Sequence, residues 1–98
     1  MRVYISGPIT GTEDYQERFA KAQEHLESQG YTVINPALVD MIMPADATYD
    51  EYMCVDYCLL DMCDTIYMLE GWEKSPGANR ELGFALAKHH TIMRENVK

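Results

Sequence analysis

A single carboxylate stands in an otherwise small and apolar stretch near the end of the 98-residue sequence, SPGANRELGFALA at residues 75–87. If this stretch is helical, the residues four positions from Glu81 are Gly77 and Ala85, and neither can form an ion pair with it. An unpaired carboxylate beside an apolar stripe is costly unless water solvates it or the protein uses it. Two interpretations therefore stay open: a boundary glutamate that reaches into water, or a functional carboxylate.

Two glycine-containing segments could hold a phosphate group. They are SGPITG at residues 6–11 and SPGA at residues 75–78, the second at the start of the helix that carries Glu81. Glycines let the backbone approach a ligand closely, and N–H groups and hydroxyls at a helix N-terminus bind anions. Helix capping alone would also explain Ser75. Trp72 lies in a predicted loop and could stack on a base or cover the core. Together with the two segments it gives the candidate binding residues, which are Ser6, Gly7, Pro8, Ile9, Gly11, Trp72, Ser75, Gly77 and Ala78.

Two further polar residues lie in or beside predicted strands. Tyr4 falls in a β-rich run, where it is either an ordinary core tyrosine or a site residue, and its hydroxyl needs a hydrogen-bond partner if it is buried. Asp64 follows the second predicted helix and precedes a strand. Its simplest interpretation is an ordinary loop carboxylate at the amino end of the strand. A carboxylate beside a helix C-terminus gains nothing from the helix dipole, which slightly favours a functional reason, so both interpretations stay open.

Short apolar segments alternate with longer amphipathic ones along the chain, which is typical of an α/β fold. Strands are predicted at residues 2–6, 32–35, 65–69 and 91–94. Helices are predicted at residues 13–29, from the capping box of Thr48 and Glu51 to about Asp64, and at residues 76–88. Residues 37–47 are predicted to be a loop. On the second helix, the expected apolar stripe consists of Tyr52, Val55, Leu59 and Met62.

The predicted strands are nearly continuous in apolar residues, which indicates a parallel sheet covered on both faces. We therefore predict one domain over residues 1–98, an open doubly wound sheet of the flavodoxin or Rossmann kind, with strand order 2-1-3-4 and three helices. In such sheets ligands bind outside the carboxyl ends of the strands, near the switch in strand order. The segments at residues 6–11 and 75–78 should converge there.

Composition limits the choice of partners. The formal net charge is −8, which disfavours a nucleic-acid polymer or an anionic membrane but still allows a small nucleotide. We expect a cytoplasmic protein, because the sequence has neither a signal-peptide pattern nor an apolar run of membrane-spanning length. The cysteines at 54, 58 and 63 are expected to be free thiols, and no metal or other cofactor is expected. So small a domain would gain stability from pairing, which favours a homodimer or higher homo-oligomer.

Four segments together resemble the nucleoside 2-deoxyribosyltransferase family: YISGPITG at residues 4–11, VINPA at 33–37, CDTIYML at 63–69 and SPGANRELGFALA at 75–87. The resemblance covers nearly the whole chain and is closest to a short branch labelled as a domain of unknown function. The family also includes deoxynucleoside 5′-monophosphate N-glycosidases. The resemblance therefore implies a small-molecule nucleoside or nucleotide as the substrate.

The resemblance also implies roles for individual residues. Glu81 matches the nucleophile that attacks the anomeric carbon and leaves a deoxyribosyl ester on the enzyme, which water or a second base then releases. Tyr4 matches a tyrosine that orients this nucleophile, and Asp64 matches an acidic residue near the sugar and base. Six residues before the nucleophile the transferases carry an aspartate and the monophosphate glycosidases a serine. Ser75 therefore points to a 5′-monophosphate, although residues 7–11 contain no arginine to bind it.

Three functions remain compatible with the sequence. The first is cleavage of an N-glycosidic bond, by hydrolysis or by transfer to a second base. The second is a nucleotide-binding module without turnover, which would need Gly7, Ser75 and Gly77 but no nucleophile. The third is a small interaction protein whose pocket has lost its function.

Overall fold

A computed structural model describes residues 1–9 and 13–95 of the chain. The strands are β1 (Arg2–Ser6), β2 (Thr32–Ile34), β3 (Thr65–Met68) and β4 (Thr91–Arg94), and the helices are α1 (Tyr15–Ser28), α2 (Tyr49–Asp61) and α3 (Pro76–Ala87). Two short 3-10 helices lie at Pro36–Met41 and Trp72–Lys74. The candidate residue Gly11 lies outside the described residues. None of the helices in the described ranges is both long enough and apolar enough to cross a membrane.

The four strands form one parallel sheet in the order β2-β1-β3-β4, which confirms the predicted strand order. Each crossover between parallel strands carries a helix, as this topology requires. Strands β1 and β3 are neighbours at the centre, with Val3 opposite Thr65 and Ser6 opposite Met68. The switch in strand order therefore lies at the carboxyl end of β1, where the predicted binding segment begins.

The two faces of the sheet pack against different helices because successive side chains of a strand point to opposite faces. From β1, Val3 and Ile5 pack with Phe19 and Leu26 of α1. Tyr4 points to the other face, which α2 and α3 cover. Ser6, two residues further along, lies on the same face as Tyr4. This alternation determines which β1 side chains can reach α3.

The helix ends follow the local signals in the sequence. The capping box at the start of α2 is present, with Glu51 N–H donating to Thr48 Oγ1 at 3.1 Å and Thr48 N–H donating to Glu51 Oε1 at 2.7 Å. Ser75 caps α3, since its Oγ accepts a hydrogen bond from Ala78 N–H at 3.2 Å. Capping is thus a real role of Ser75, whatever else the hydroxyl binds.

One predicted loop contains regular structure. The segment predicted as an unbroken loop over residues 37–47 includes most of the 3-10 helix Pro36–Met41. Asn35 starts this helix because its Oδ1 accepts a hydrogen bond from Ala37 N–H at 3.0 Å, and a proline follows at the first helical position. This helix holds Asp40, a residue that the sequence did not single out, in a defined place.

Candidate active site

Glu81 lies on the face of α3 that packs against the sheet, and only 6% of its surface is exposed. Both carboxylate oxygens accept short hydrogen bonds from β1. The Tyr4 hydroxyl donates to Oε2 and the Ser6 hydroxyl donates to Oε1, each at 2.6 Å. Distances this short are typical of O–H···O⁻ bonds to an ionised acceptor. The interpretation of Glu81 as a boundary residue that reaches into water is therefore excluded.

The sheet pleat explains why two β1 side chains can hold one carboxylate. Tyr4 and Ser6 are two residues apart, so they project from the same face and are both fully enclosed there. Burial and then the charge of Glu81 raise the pKa of Tyr4 well above its usual value, so its hydroxyl remains a donor. The three side chains form a rigid buried group that restricts where the glutamate can point.

Asp56 of α2 is a site residue that the sequence analysis missed. It is partly buried, lines the same cleft and lies beside Glu81. Burial, followed by the nearby charges of Glu81 and Asp40, raises the pKa of Asp56 to about 8. Burial also raises the pKa of Glu81, while the hydrogen bonds from Ser6 and Tyr4 oppose that rise. Burial and mutual repulsion therefore disfavour simultaneous ionisation of the two carboxyl groups, and the hydrogen bonds from Tyr4 and Ser6 stabilise the charged form of Glu81.

The sequence contains a signal for Asp56. It was missed because the prediction assigned the wrong face of α2 to the core. The buried residues of α2 are Met53 and Leu60, whereas Met62 of the predicted stripe is 55% exposed. Asp56 lies three residues after Met53 and four before Leu60, on the same side of the helix. A polar residue within a buried stripe is the pattern that would have identified it.

An open cleft of about 1270 Å³ lies over Glu81 at the carboxyl edge of the sheet. The sequence-predicted residues that line it come from the end of β1 and the start of α3, and both segments meet there as predicted. They are Gly7, Pro8, Ile9, Ser75, Gly77, Ala78 and Glu81. Tyr4 and Ser6 lie beneath the cleft floor, where they contact Glu81 and not the open space.

Asp64 is not brought to this cleft, which corrects the role that the resemblance implied. It precedes β3 at the amino edge of the sheet, the edge opposite to the cleft. There its Oδ1 accepts hydrogen bonds from Arg2 N–H and from the Thr65 hydroxyl, both at 3.1 Å. The acidic residue next to Glu81 is Asp56, and Asp64 instead ties the start of β1 to the start of β3.

Trp72 also departs from its expected role. It does not line the cleft but packs, partly buried, against the core cluster between the sheet and helices α2 and α3. Of the two interpretations left open for this side chain, the structure supports a cover for the core. The aromatic side chains that line the cleft are Tyr15, Tyr49 and Tyr52.

Basic side chains line the mouth of the cleft, although residues 7–11 contain none. Arg18 of α1, Lys74 beside the start of α3 and Arg80 of α3 line it. Arg18 Nη2 donates to the backbone oxygen of Glu70 at 2.8 Å and lies 3.7 Å from Glu95 Oε1. The cations are therefore local exceptions on an acidic protein, next to a helix N-terminus that itself favours anions.

Glycine stands at positions 7 and 77 for different physical reasons. A Cβ at Gly7 would lie 2.7 Å from Leu69 Cβ, so this glycine allows β1 to end close against the chain that follows β3. A Cβ at Gly77 would lie 3.4 Å from the Tyr49 hydroxyl. Gly7 is thus required by packing, whereas Gly77 leaves space between α2 and α3 within the cleft.

The fold, with the cleft at the switch in strand order, is that of the nucleoside 2-deoxyribosyltransferase-like proteins. Among solved structures the chain is similar to the 2-deoxyribosyltransferase from the psychrotolerant bacterium Bacillus psychrosaccharolyticus, with a TM-score of 0.76 and 17% identity, over 100% of this chain and 77% of that chain. It is also similar to Clostridium botulinum CMP N-glycosidase, BcmB, with a TM-score of 0.66 and 26% identity, over 96% of this chain and 67% of that chain.

Residues 1–94 match the family described as Domain of unknown function (DUF4406), and the chain belongs to that family. No functionally curated protein matches the sequence. The sequence-based resemblance to a deoxyribosyltransferase-like branch of unknown function is therefore confirmed.

Proposed function

We propose that this protein cleaves the N-glycosidic bond of a nucleoside or nucleoside 5′-monophosphate, with Glu81 as the nucleophile. The observation that carries the proposal is the buried Glu81 carboxylate, fixed by Tyr4 and Ser6 beside Asp56 at the floor of an open cleft. Each glutamate oxygen accepts one of these hydrogen bonds and keeps a second lone pair for reaction. The activities named for the two similar structures, deoxyribosyl transfer and CMP N-glycoside cleavage, support this kind of chemistry.

In the first step a Glu81 oxygen attacks the anomeric carbon. A glycosyl ester bond forms, and the electrons of the broken C–N bond leave with the base. Asp56 supplies the proton that the leaving base takes up, which is the role of a general acid whose pKa lies near the working pH. The transition state resembles an oxocarbenium ion, so the anion held next to it stabilises the developing positive charge.

In the second step a nucleophile releases the sugar. Water attacks the anomeric carbon, its proton passes to the Asp56 carboxylate, and the ester C–O bond breaks to restore ionised Glu81 and protonated Asp56. A second base in place of water would give transfer. Both outcomes retain the configuration at the anomeric carbon, because each step inverts it once.

A 5′-phosphate fits the region between β1 and the start of α3. Lys74 and Arg18 line this region, and the N-terminus of α3 favours an anion. The Ser75 hydroxyl accepts the cap bond from Ala78 N–H and still has a proton to donate to a phosphate oxygen. These features support a nucleoside 5′-monophosphate over the unphosphorylated nucleoside.

A nucleotide-binding module without turnover is the second candidate, because three tyrosines and a helix N-terminus would hold a nucleotide whether or not Glu81 reacts. In such a protein the hydrogen bonds of Glu81 with Tyr4 and Ser6 would serve only to connect α3 to β1. The two candidates differ in whether a free base is produced.

Chromatographic detection of free base, from deoxynucleosides and their 5′-monophosphates, tests the proposal. We expect wild-type protein to release base, monophosphates to have the lower KM, and Glu81→Gln to lose at least about a thousand-fold in kcat. Glu24→Gln, the same substitution at an exposed position of α1, should keep wild-type activity. Nucleotide-induced thermal stabilisation without base release would instead establish the binding module.

A further inference from the structure

The cleft wall formed by α2 and the first 3-10 helix carries two carboxyl groups, Asp56 and Asp40, in addition to Glu81 on α3. Asp56 faces Glu81 directly, and Asp40 faces Asp56 and Tyr15. Both line the cleft, and Asp40 is half-buried in the 3-10 helix that Asn35 caps. The order along the wall is therefore Glu81, Asp56 and then Asp40.

Neither carboxyl group is neutralised by a neighbouring cation. In residues 1–9 and 13–95, the ion pairs involve other acidic residues and leave both Asp40 and Asp56 without a basic partner. Carboxylate oxygens only accept hydrogen bonds, so a ligand that contacts Asp40 must bring a donor to it. A ligand acceptor at the same place would be repelled and left without its hydrogen bond.

We propose that Asp40 selects bases with an amino group at the position farthest from the glycosidic bond, and that it rejects bases with a carbonyl oxygen there. This selection rests on the proposed function, which places the anomeric carbon at Glu81 and the base along the wall of Asp56 and Asp40. Protonated Asp56 then meets the base acceptors next to the glycosidic nitrogen. Asp40 meets the distal edge, where cytosine and adenine carry an amino donor.

Two matched pairs of bases test this selection at the distal edge. Cytosine and uracil differ at the distal position in carrying an amino group or an oxygen, and adenine and hypoxanthine differ in the same way. In both pairs the adjacent ring nitrogen also changes, from an acceptor in the amino base to an N–H donor in the oxo base. A ring shape or stacking preference would separate pyrimidines from purines, because each amino base has nearly the shape of its oxo partner. Selection by Asp40 instead separates the amino bases from the oxo bases within both pairs.

The test compares kcat/KM for base release within each pair of deoxynucleoside 5′-monophosphates. We expect the amino member to be favoured by about 10- to 150-fold in wild-type protein, the range of one hydrogen bond to a charged group. Asp40→Asn should reduce the preference to about threefold or less, because its amide can present either a donor or an acceptor. Asp46→Asn, an exposed change outside the cleft, should leave the ratio unchanged.

A binding measurement separates this inference from the proposed function. Carbocyclic analogues of the same monophosphates replace the ring oxygen by CH₂ and cannot form the oxocarbenium-like transition state, so calorimetry on wild-type protein measures recognition without turnover. Tighter binding of the amino analogues, lost in Asp40→Asn, supports the inference even if no natural substrate releases base. Equal binding within each pair, preference for the oxo analogues, or no binding of any analogue at millimolar concentration would overturn it.

Discussion

At the scale of single residues, Glu81 combines two properties that seldom occur together, deep burial and two short hydrogen bonds that stabilise its charged form. Burial disfavours its charge, and two short hydrogen bonds from Tyr4 and Ser6 oppose that effect. An enclosed carboxylate without such donors would bind a proton and lose its nucleophilic form. The supporting hydroxyls are therefore as necessary to the account as the glutamate itself.

Removal of one supporting hydroxyl tests this dependence. Tyr4→Phe keeps the ring in the core but leaves Glu81 Oε2 without its donor, and hydrogen bonds to charged groups contribute about 1.5–3 kcal/mol. We expect kcat for base release to fall about 10- to 150-fold at pH 7. Tyr67→Phe, an equivalent change on β3, should have little effect on kcat. A Tyr4→Phe protein that is folded by circular dichroism and keeps wild-type kcat would contradict the orienting role.

The Asp56 carboxyl should make stability depend on pH. Its folded-state pKa of about 8 lies above the ordinary value of 3.8, so between these pH values the unfolded chain has lost a proton that the native state keeps. The native state then binds more protons, and this group lowers the free energy of unfolding as pH rises through that window. The destabilising contribution of Asp56 to the free energy of unfolding is therefore greatest above pH 8.

Asp56→Asn removes this titration, so the variant should gain stability relative to wild type as pH rises. We expect the difference in Tm between variant and wild type to be greater at pH 8 than at pH 5. A change of about 1 kcal/mol in a domain of this size corresponds to about 4–8 °C. Thermal unfolding followed by circular dichroism at both pH values measures it. A difference in Tm that does not change between pH 5 and pH 8 would show that burial does not disfavour the Asp56 charge.

At the scale of elements, the site depends on how closely β1 ends against the chain that follows β3. Gly7 occupies that contact, and its missing Cβ avoids a 2.7 Å approach to Leu69. The same few residues place Ser6 under Glu81 and Pro8 in the cleft. Packing at the strand end and the geometry of the site are therefore coupled.

Gly7→Ala should both destabilise the fold and disturb the site. Overpacking of this kind costs about 1–3 kcal/mol, and the shift would move Ser6 away from Glu81. Gly83→Ala is the matched control, because a Cβ at this exposed position of α3 meets no atom within 4 Å beyond its chain neighbours and the backbone of its own helix, and should stabilise the helix by about 0.5–1 kcal/mol. Urea unfolding of both variants measures the contrast. If Gly7→Ala proves as stable as wild type, the close contact does not constrain the strand end.

The order and the caps of the secondary-structure elements were predicted correctly from the sequence, whereas the buried face of one helix was predicted wrongly. The strand order and the caps of α2 and α3 followed from apolar runs and from local side-chain chemistry at the helix starts. The buried face of α2 did not. Its predicted stripe was displaced by one residue, about 100° around the helix, and that rotation concealed Asp56.

At the scale of the whole molecule, the topology explains which site residues sequence spacing could find. Parallel strands bring the end of β1 and the start of α3 to one edge, so the convergence of Gly7 and Ser75 was predictable. The pairing of Tyr4 with Glu81, 77 residues away, depends on the height of α3 over the sheet, which no local pattern encodes. The site role of Asp64 came from the resemblance alone, and its position before β3 places it at the amino edge of the sheet, opposite to the cleft.

A second copy of the chain remains the expected partner. The prediction rests on the small core that 98 residues can form and on large exposed apolar side chains such as Met41 and Ile42 of the segment beside the cleft. Sedimentation equilibrium should give at least twice the monomer mass of 11.2 kDa at micromolar concentration. A monomer mass at every concentration would contradict the expectation.

The most direct test of the central claim is to trap the sugar on Glu81. A 2′-fluoroarabinosyl nucleoside 5′-monophosphate slows both steps because fluorine destabilises the oxocarbenium-like transition state, and an ester that forms can persist long enough for mass spectrometry. We predict a stoichiometric mass increase equal to the fluorinated sugar phosphate residue, located by peptide mapping at Glu81 and absent in Glu81→Gln. Base release from natural substrates with no adduct on Glu81, or an adduct on another residue, would contradict it.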